Sequence, residues 1–157
     1  MGMPVCDDGA TGTQAIMTAG EQFEGIFDLT LDDRGRVPVP ARYRHLFERD
    51  AVLALGIQGQ AELWTRTGYD AGSVEFTQAP MTTEEGLDLR RQRFAFAWPA
   101  QLDRQGRVLV PVKLRELAEL DGAVVVSGRG ECLEIWNPQR WEETVSRLQQ
   151  RRSRRGT

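Results

Sequence analysis

Leu31-Asp32-Asp33-Arg34-Gly35-Arg36-Val37-Pro38-Val39-Pro40 decides the fold, because it occurs twice. It returns as Leu102-Asp103-Arg104-Gln105-Gly106-Arg107-Val108-Leu109-Val110-Pro111, with seven of ten positions identical at an offset of 71 residues. The echo continues in Arg44 and Arg115, Leu46 and Leu117, Glu48 and Glu119, Asp50 and Asp121. After a one-residue length difference, Glu62-Leu63-Trp64 falls against Glu134-Ile135-Trp136. Self-similarity at a fixed spacing marks one supersecondary unit used twice.

The first copy opens with Phe23 to Leu31. Phe23, Gly25, Phe27, Leu29 and Leu31 share one side, which predicts a half-buried strand. Asp32 to Gly35 predicts a turn, and Arg36 to Val39 a second short strand. Pro38 has no N–H to donate, so that strand belongs at an edge or pairs irregularly. Pro40 suits the first turn of a helix over Ala41 to Phe47, with Tyr43, Leu46 and Phe47 inward. Apolar strands follow over Ala51 to Ile57 and Ala61 to Trp64, then one or two helical turns within Gly68 to Phe76. Thr82-Thr83-Glu84-Glu85 predicts a helix start with acids in its first turn, running towards Phe94 or Phe96.

The second copy repeats the pattern. Strands are expected at Trp98 to Leu102 and Arg107 to Val110, around a turn at Asp103 to Gly106. Pro111 opens a helix with Leu114, Leu117 and Ala118 on one face. Strands at Ala123 to Ser127 and Cys132 to Trp136 lead to Asn137-Pro138, a cap followed by a first helical position. The last helix carries Trp141, Val145 and Leu148 at i, i+4 and i+7. Trp64, Trp98, Trp136 and Trp141 are expected in the core or at subunit contacts. The expected segments are a disordered extension over 1–22, a first unit over 23–80, a second unit with its linking helix over 81–150, and a basic tail over 151–157.

Composition bounds the function. The two cysteines, Cys6 and Cys132, form no CxxC, so neither a disulfide scaffold nor a zinc site is expected, and Cys132 reads as a small buried strand residue. No apolar run reaches the roughly 18 residues of a membrane span, and no signal peptide opens the chain. A cytoplasmic protein without membrane contact is expected. The lone His45 lacks a patterned nucleophile or carboxylate partner, and the glycines form no phosphate-binding loop. An enzyme, a metal site and a cofactor are therefore not expected. The net charge is −3, and 19 of the 20 basic residues are arginine. Five of those arginines lie from Arg147 onward with no acid among them, which leaves the residues before them at −8. Any surface for a polyanion must be local. The arginine run itself reads either as a phosphate-binding arm or as a solvated tail.

The repeated Asp-x-x-x-Arg has two readings. At a strand–turn–strand corner the aspartate can hold turn N–H groups and aim the arginine, whose planar, bidentate fork suits phosphate or a guanine edge. Alternatively, the pair only stabilises a hairpin. Spacing does not separate the two.

These residues resemble the MraZ family, built from two AbrB/SpoVT-type units in tandem. The resemblance rests on Leu-Asp-x-x-Gly-Arg-Val-x-Val-Pro in both halves, the Arg-x-Leu after it, and the closing Glu-Ile-Trp-Asn-Pro-Gln-Arg-Trp, over about Phe23 to Leu148. It implies a mainly β, α+β fold: a swapped-hairpin β-barrel of two interleaved units with short flanking helices. It implies a nucleoid-associated transcriptional regulator, often a repressor. Such a protein assembles as a ring-shaped homo-oligomer. It binds repeated boxes of double-stranded DNA upstream of the division and cell-wall gene cluster. The DNA-binding positions implied are Asp32, Arg34, Arg36, Asp103 and Arg107, to which Arg104 at the second tip is added. The second tip has Arg104-Gln105 where the first has Asp33-Arg34, so the tips differ in charge. An AbrB-like structural or protein-interaction module without DNA binding is the alternative.

Overall fold

Strand pairing in the computed structural model, which describes residues 22–156, interleaves the two copies. The first copy runs through β1 (Ile26–Thr30), β2 (Arg36–Pro38), a 3-10 helix (Ala41–Phe47), β3 (Ala51–Leu55) and β4 (Ala61–Thr65). Three helices follow: α1 (Arg66–Gly72), α2 (Val74–Thr77) and α3 (Glu84–Phe94). The second copy runs through β5 (Ala97–Ala100), β6 (Arg107–Leu109), α4 (Val112–Ala118), β7 (Ala123–Gly128) and β8 (Leu133–Trp136), and ends in α5 (Pro138–Arg155).

The main sheet has the order β1-β7-β8-β4-β3-β5, all antiparallel where paired. Thus β1 of the first copy pairs with β7 of the second, and β5 of the second pairs with β3 of the first. β2 and β6 leave this sheet and form a ribbon with each other, as Arg36↔Leu109, Val37↔Val108 and Pro38↔Arg107. The order reads the same from either end once the copies are exchanged. Antiparallel sheet, short helices and two interleaved units are as the sequence predicts. The strands divide into a six-stranded sheet and a two-stranded ribbon. Helical residues also outnumber strand residues, because α3 and α5 are long.

One face of the sheet packs the main core, which draws on both copies: Phe23, Val37, Phe47, Leu53 and Leu63 against Val108, Leu114, Val126, Leu133 and Ile135. Burying a Leu, Val or Phe side chain stabilises by about 1.5–3 kcal/mol. Separating the copies would expose this whole set. The other face of β3 carries Val52 and Ala54 in a smaller cluster with Trp64, Tyr69 and Cys132. With both faces covered, β3 has no reason to alternate, which explains the unbroken apolar run Ala51–Leu55.

Several boundaries move. β1 is shorter than Phe23 to Leu31, because Gly25 takes φ +101 and breaks the pleat, although Phe23 still bridges to Gly130. β3 stops at Leu55, since Gly56 N donates to Gln60 O at 2.7 Å and closes a turn that leaves Ile57 96% exposed. β5 is Ala97–Ala100 and pairs with β3, while Leu102 makes only an isolated bridge to Val108. Pro40 and Pro111 cap their helices from just outside, and Ala41–Phe47 is 3-10 rather than α. Thr83 and Asn137 cap α3 and α5 through their side-chain oxygens, and Pro138 takes the first helical position, as expected. The expected tail is helical through Arg155. Apart from Gln22, the expected N-terminal extension, with Cys6, lies outside the described residues.

Candidate nucleic-acid interface

The two Asp-x-x-x-Arg corners fold identically. Asp32 N donates to Arg36 O at 2.8 Å, and Gly35 N to Asp32 O at 3.0 Å. Asp32 Oδ1 accepts from the N–H groups of Arg34 and Arg36, each at 2.9 Å, and its Oδ2 accepts from Arg36 Nε at 3.0 Å. In the second copy Asp103 Oδ1 accepts from Gln105 N at 2.9 Å and Arg107 N at 3.0 Å, and Oδ2 from Arg107 Nε at 3.0 Å. One oxygen therefore shapes the turn and the other aims the guanidinium. Asparagine could replace the first role but would bring an uncharged group to the second.

Pairing of β2 with β6 brings the corners together. Arg107 Nη1 lies 3.4 Å from Asp32 Oδ2, and Arg36 Nη1 lies 3.9 Å from Asp103 Oδ2. The result is a clasp of two aspartates and two arginines across the ribbon. Arg36 and Arg107 side chains are 26% and 28% exposed, so each fork is fixed from below with an edge left to solvent. Backbone N–H donation from Arg36 is the main cause that lowers the Asp32 carboxyl from its ordinary value. The N–H of Arg107 does the same for Asp103. A lowered folded value stabilises the fold above the unfolded carboxylate range and is lost as pH falls through the folded value. An Asp32→Asn, Asp103→Asn chain is thus expected to lose less stability than the parent below about pH 4, read by denaturant melts across pH.

Each tip glycine is held by an arginine of the other copy. Gly35 has φ +82 and Gly106 φ +78. A Cβ on Gly35 would sit 2.5 Å from the Arg115 guanidinium carbon, and one on Gly106 2.3 Å from Arg44 Nε. Arg44 Nε donates to Val39 O at 2.8 Å and Arg115 Nε to Val110 O at 3.0 Å, so both are pinned. Gly106→Ala is expected to destabilise by roughly 1–2 kcal/mol for the left-handed backbone, with more for displacing Arg44, as a lowered Tm.

The structure places Arg36 and Arg107 in the ribbon, and Asp32, Arg34, Asp103 and Arg104 in the turns that lead into its two strands. Asp32, Arg36, Asp103 and Arg107 form the clasp, which is charge-neutral. Arg34 and Arg104 are exposed at the two turns and make no ion pair among the described residues. Asp33, exposed beside Arg34, offsets part of their charge. His45 is exposed on the 3-10 helix. Among the described residues no group of three or more His, Cys, Asp or Glu is placed to hold a metal ion. Burial pushes the Cys132 thiol up, which leaves it a packing residue.

One cluster lay beyond the reading of the sequence, although its glutamates and tryptophans belong to the repeat. Glu62 and Glu134 face each other across β4 and β8, both buried. Trp64 Nε1 donates to Glu62 at 3.0 Å and Trp136 Nε1 to Glu134 at 3.1 Å. Arg129 Nη1 bridges the two carboxylates at 2.7 and 3.0 Å, and Gln60 Nε2 reaches the same pair at 3.3 and 2.8 Å. Glu-x-Trp in both copies was the signal: on a strand, residues two apart share a face.

Comparison with known proteins finds a family model described as "MraZ protein, putative antitoxin-like", which matches residues 23–91 and 94–156. A Roseiflexus castenholzii protein named transcriptional regulator MraZ is 35% identical over 126 residues, 80% of this chain and 88% of the relative. A Deinococcus radiodurans protein of the same name is 34% identical over 125 residues, again 80% and 88%. One from Moorella thermoacetica is 36% identical over 121 residues, 77% and 85%.

Proposed function

The chain belongs to the MraZ family, and we propose that it regulates transcription by binding double-stranded DNA through the β2–β6 ribbon. The observation that carries this reading is the paired clasp: two arginine forks, each held by its own aspartate and the other copy's. A two-stranded ribbon fits the major groove, where an Arg fork matches the O6 and N7 edge of guanine. In this reading Arg36 and Arg107 meet base edges, and Asp32 and Asp103 preset their direction. Arg34 and Arg104 meet phosphates on either side.

We further propose that copies of the chain close into a ring, so that ribbons recur around it. Individually weak contacts then act together through effective concentration, and repeated DNA boxes match repeated subunits. The expected target is the promoter of the division and cell-wall gene cluster, where occupancy excludes polymerase and represses. The protein would then be associated with the nucleoid. Among the described residues, no helix is long and apolar enough to cross a membrane.

The test is recovery of DNA bound to the chain in its own cell. The reading expects a short box, repeated at regular spacing, upstream of that cluster; recovery of no common sequence would sink it. A second reading, an AbrB-like interaction module without DNA binding, draws on the neutrality of the clasp. It expects an intact oligomer that shifts no DNA.

A further inference from the structure

We propose that the arginine-rich end of α5 is a second DNA-contacting element, which grips the phosphate backbone without regard to sequence. This rests on the DNA-binding reading above and assigns it a further site. The ribbon is poor in free charge: its clasp is neutral, and Asp33 offsets one of the two exposed tip arginines. The residues before Arg147 carry −8 in all. Electrostatic attraction to a polyanion must come from elsewhere, and the five arginines from Arg147 onward, with no acid among them, are the densest concentration of positive charge in the sequence.

Their setting suits that task. The first half of α5 is anchored. Asn137 Oδ1 caps it at 2.9 and 3.3 Å, Arg140 pairs with Glu119 at 2.9 Å, and the Trp141 ring lies 5.7 Å from Trp136. From Leu148 to Gly156 every residue is exposed, so over two turns no face of the helix is covered. Arg147, Arg151, Arg154 and Arg155 lie at i, i+4, i+7 and i+8, one face of a helix, with Arg152 beside them. Arg147, Arg151, Arg152 and Arg155 make no ion pair among the described residues. Cations complement the C-terminal end of a helix dipole, but that effect fades within the last turn. Like charges four residues apart, as at Arg147, Arg151 and Arg155, oppose the helix. An array built against its own repulsion is relieved by an external polyanion, and the helix presents it as a fixed row.

Two variants test this: a chain ending at Gln150, and a full-length chain with Arg151, Arg152, Arg154 and Arg155 each changed to Gln. Fluorescence anisotropy on the recovered box and on a scrambled duplex, from about 50 to about 200 mM salt, gives the slope of log K against log salt. Light scattering gives the oligomeric state. The slope should become shallower by up to roughly 3–4 per engaged subunit, equally on both duplexes, with their affinity ratio and the oligomer unchanged. Unchanged slopes with binding retained would overturn the proposal. Dissociation of the oligomer would also overturn it and assign the helix to an acidic face of a second copy. Failure of the unaltered chain to bind either duplex would instead sink the DNA-binding reading on which the proposal rests.

Discussion

A chain carrying Arg36→Ala together with Arg107→Ala is expected to keep its fold and lose its specific DNA binding. Both arginines pair with aspartates at a site roughly one-quarter exposed. Partly exposed pairs of this kind contribute about 0–1 kcal/mol each, so the melting curve should shift little. A bidentate Arg–guanine contact discriminates by about 1–3 kcal/mol, so loss of two lowers specific affinity roughly 30-fold to more than 10⁴-fold. Anisotropy on the recovered box, beside circular dichroism of the same sample, separates the outcomes. If the fold collapses while residual folded protein binds as before, the corners are hairpin fasteners and nothing more.

The largest expected effect on stability lies elsewhere. Arg129→Ala removes the guanidinium that bridges two facing carboxylates, whose side chains are only 7% and 8% exposed. Removing one partner of a buried ion pair costs about 3–5 kcal/mol, because the remaining charge is left without compensation. Arg129 is itself 38% exposed, which places the cost near the lower end, about 3 kcal/mol. For a chain of 157 residues that is a fall in Tm of roughly 6–12 °C. Adding Glu62→Gln should recover part of it by removing one of the two like charges. A fall below about 1 kcal/mol would show that Gln60 and the two indole N–H groups suffice to hold the carboxylates.

The repeat made the two units readable, and the family resemblance implied that they interleave. Tyr43, Leu46 and Leu114 fall in the main core as their helical spacing predicts, and Leu53, Leu63 and Ile135 as members of apolar strands. What periodicity could not show is which strand crosses to which copy. β5 looks like a shortened β1, yet its place against β3 depends on contacts more than 40 residues apart. Ile57 misled for a local reason: an apolar residue extended the run, while Gly56 and Gly59 had already closed the turn. At the site, the Asp–Arg spacing predicted the ion pair within each copy. The pairing of Asp32 with Arg107 across copies needs the ribbon register. The hold of Arg44 and Arg115 on the opposite glycines was hidden for the same reason: both arginines repeat, but their partners are spatial.

In the proposed function, Arg36 and Arg107 read bases as planar forks rather than as point charges. Arg36→Lys with Arg107→Lys keeps the charge and removes the fork. The decisive measurement is the affinity ratio between the recovered box and a scrambled duplex, for this variant and the unaltered chain, at one salt concentration. The ratio should fall at least about tenfold while scrambled-duplex affinity and oligomeric state hold. An unchanged ratio would contradict it.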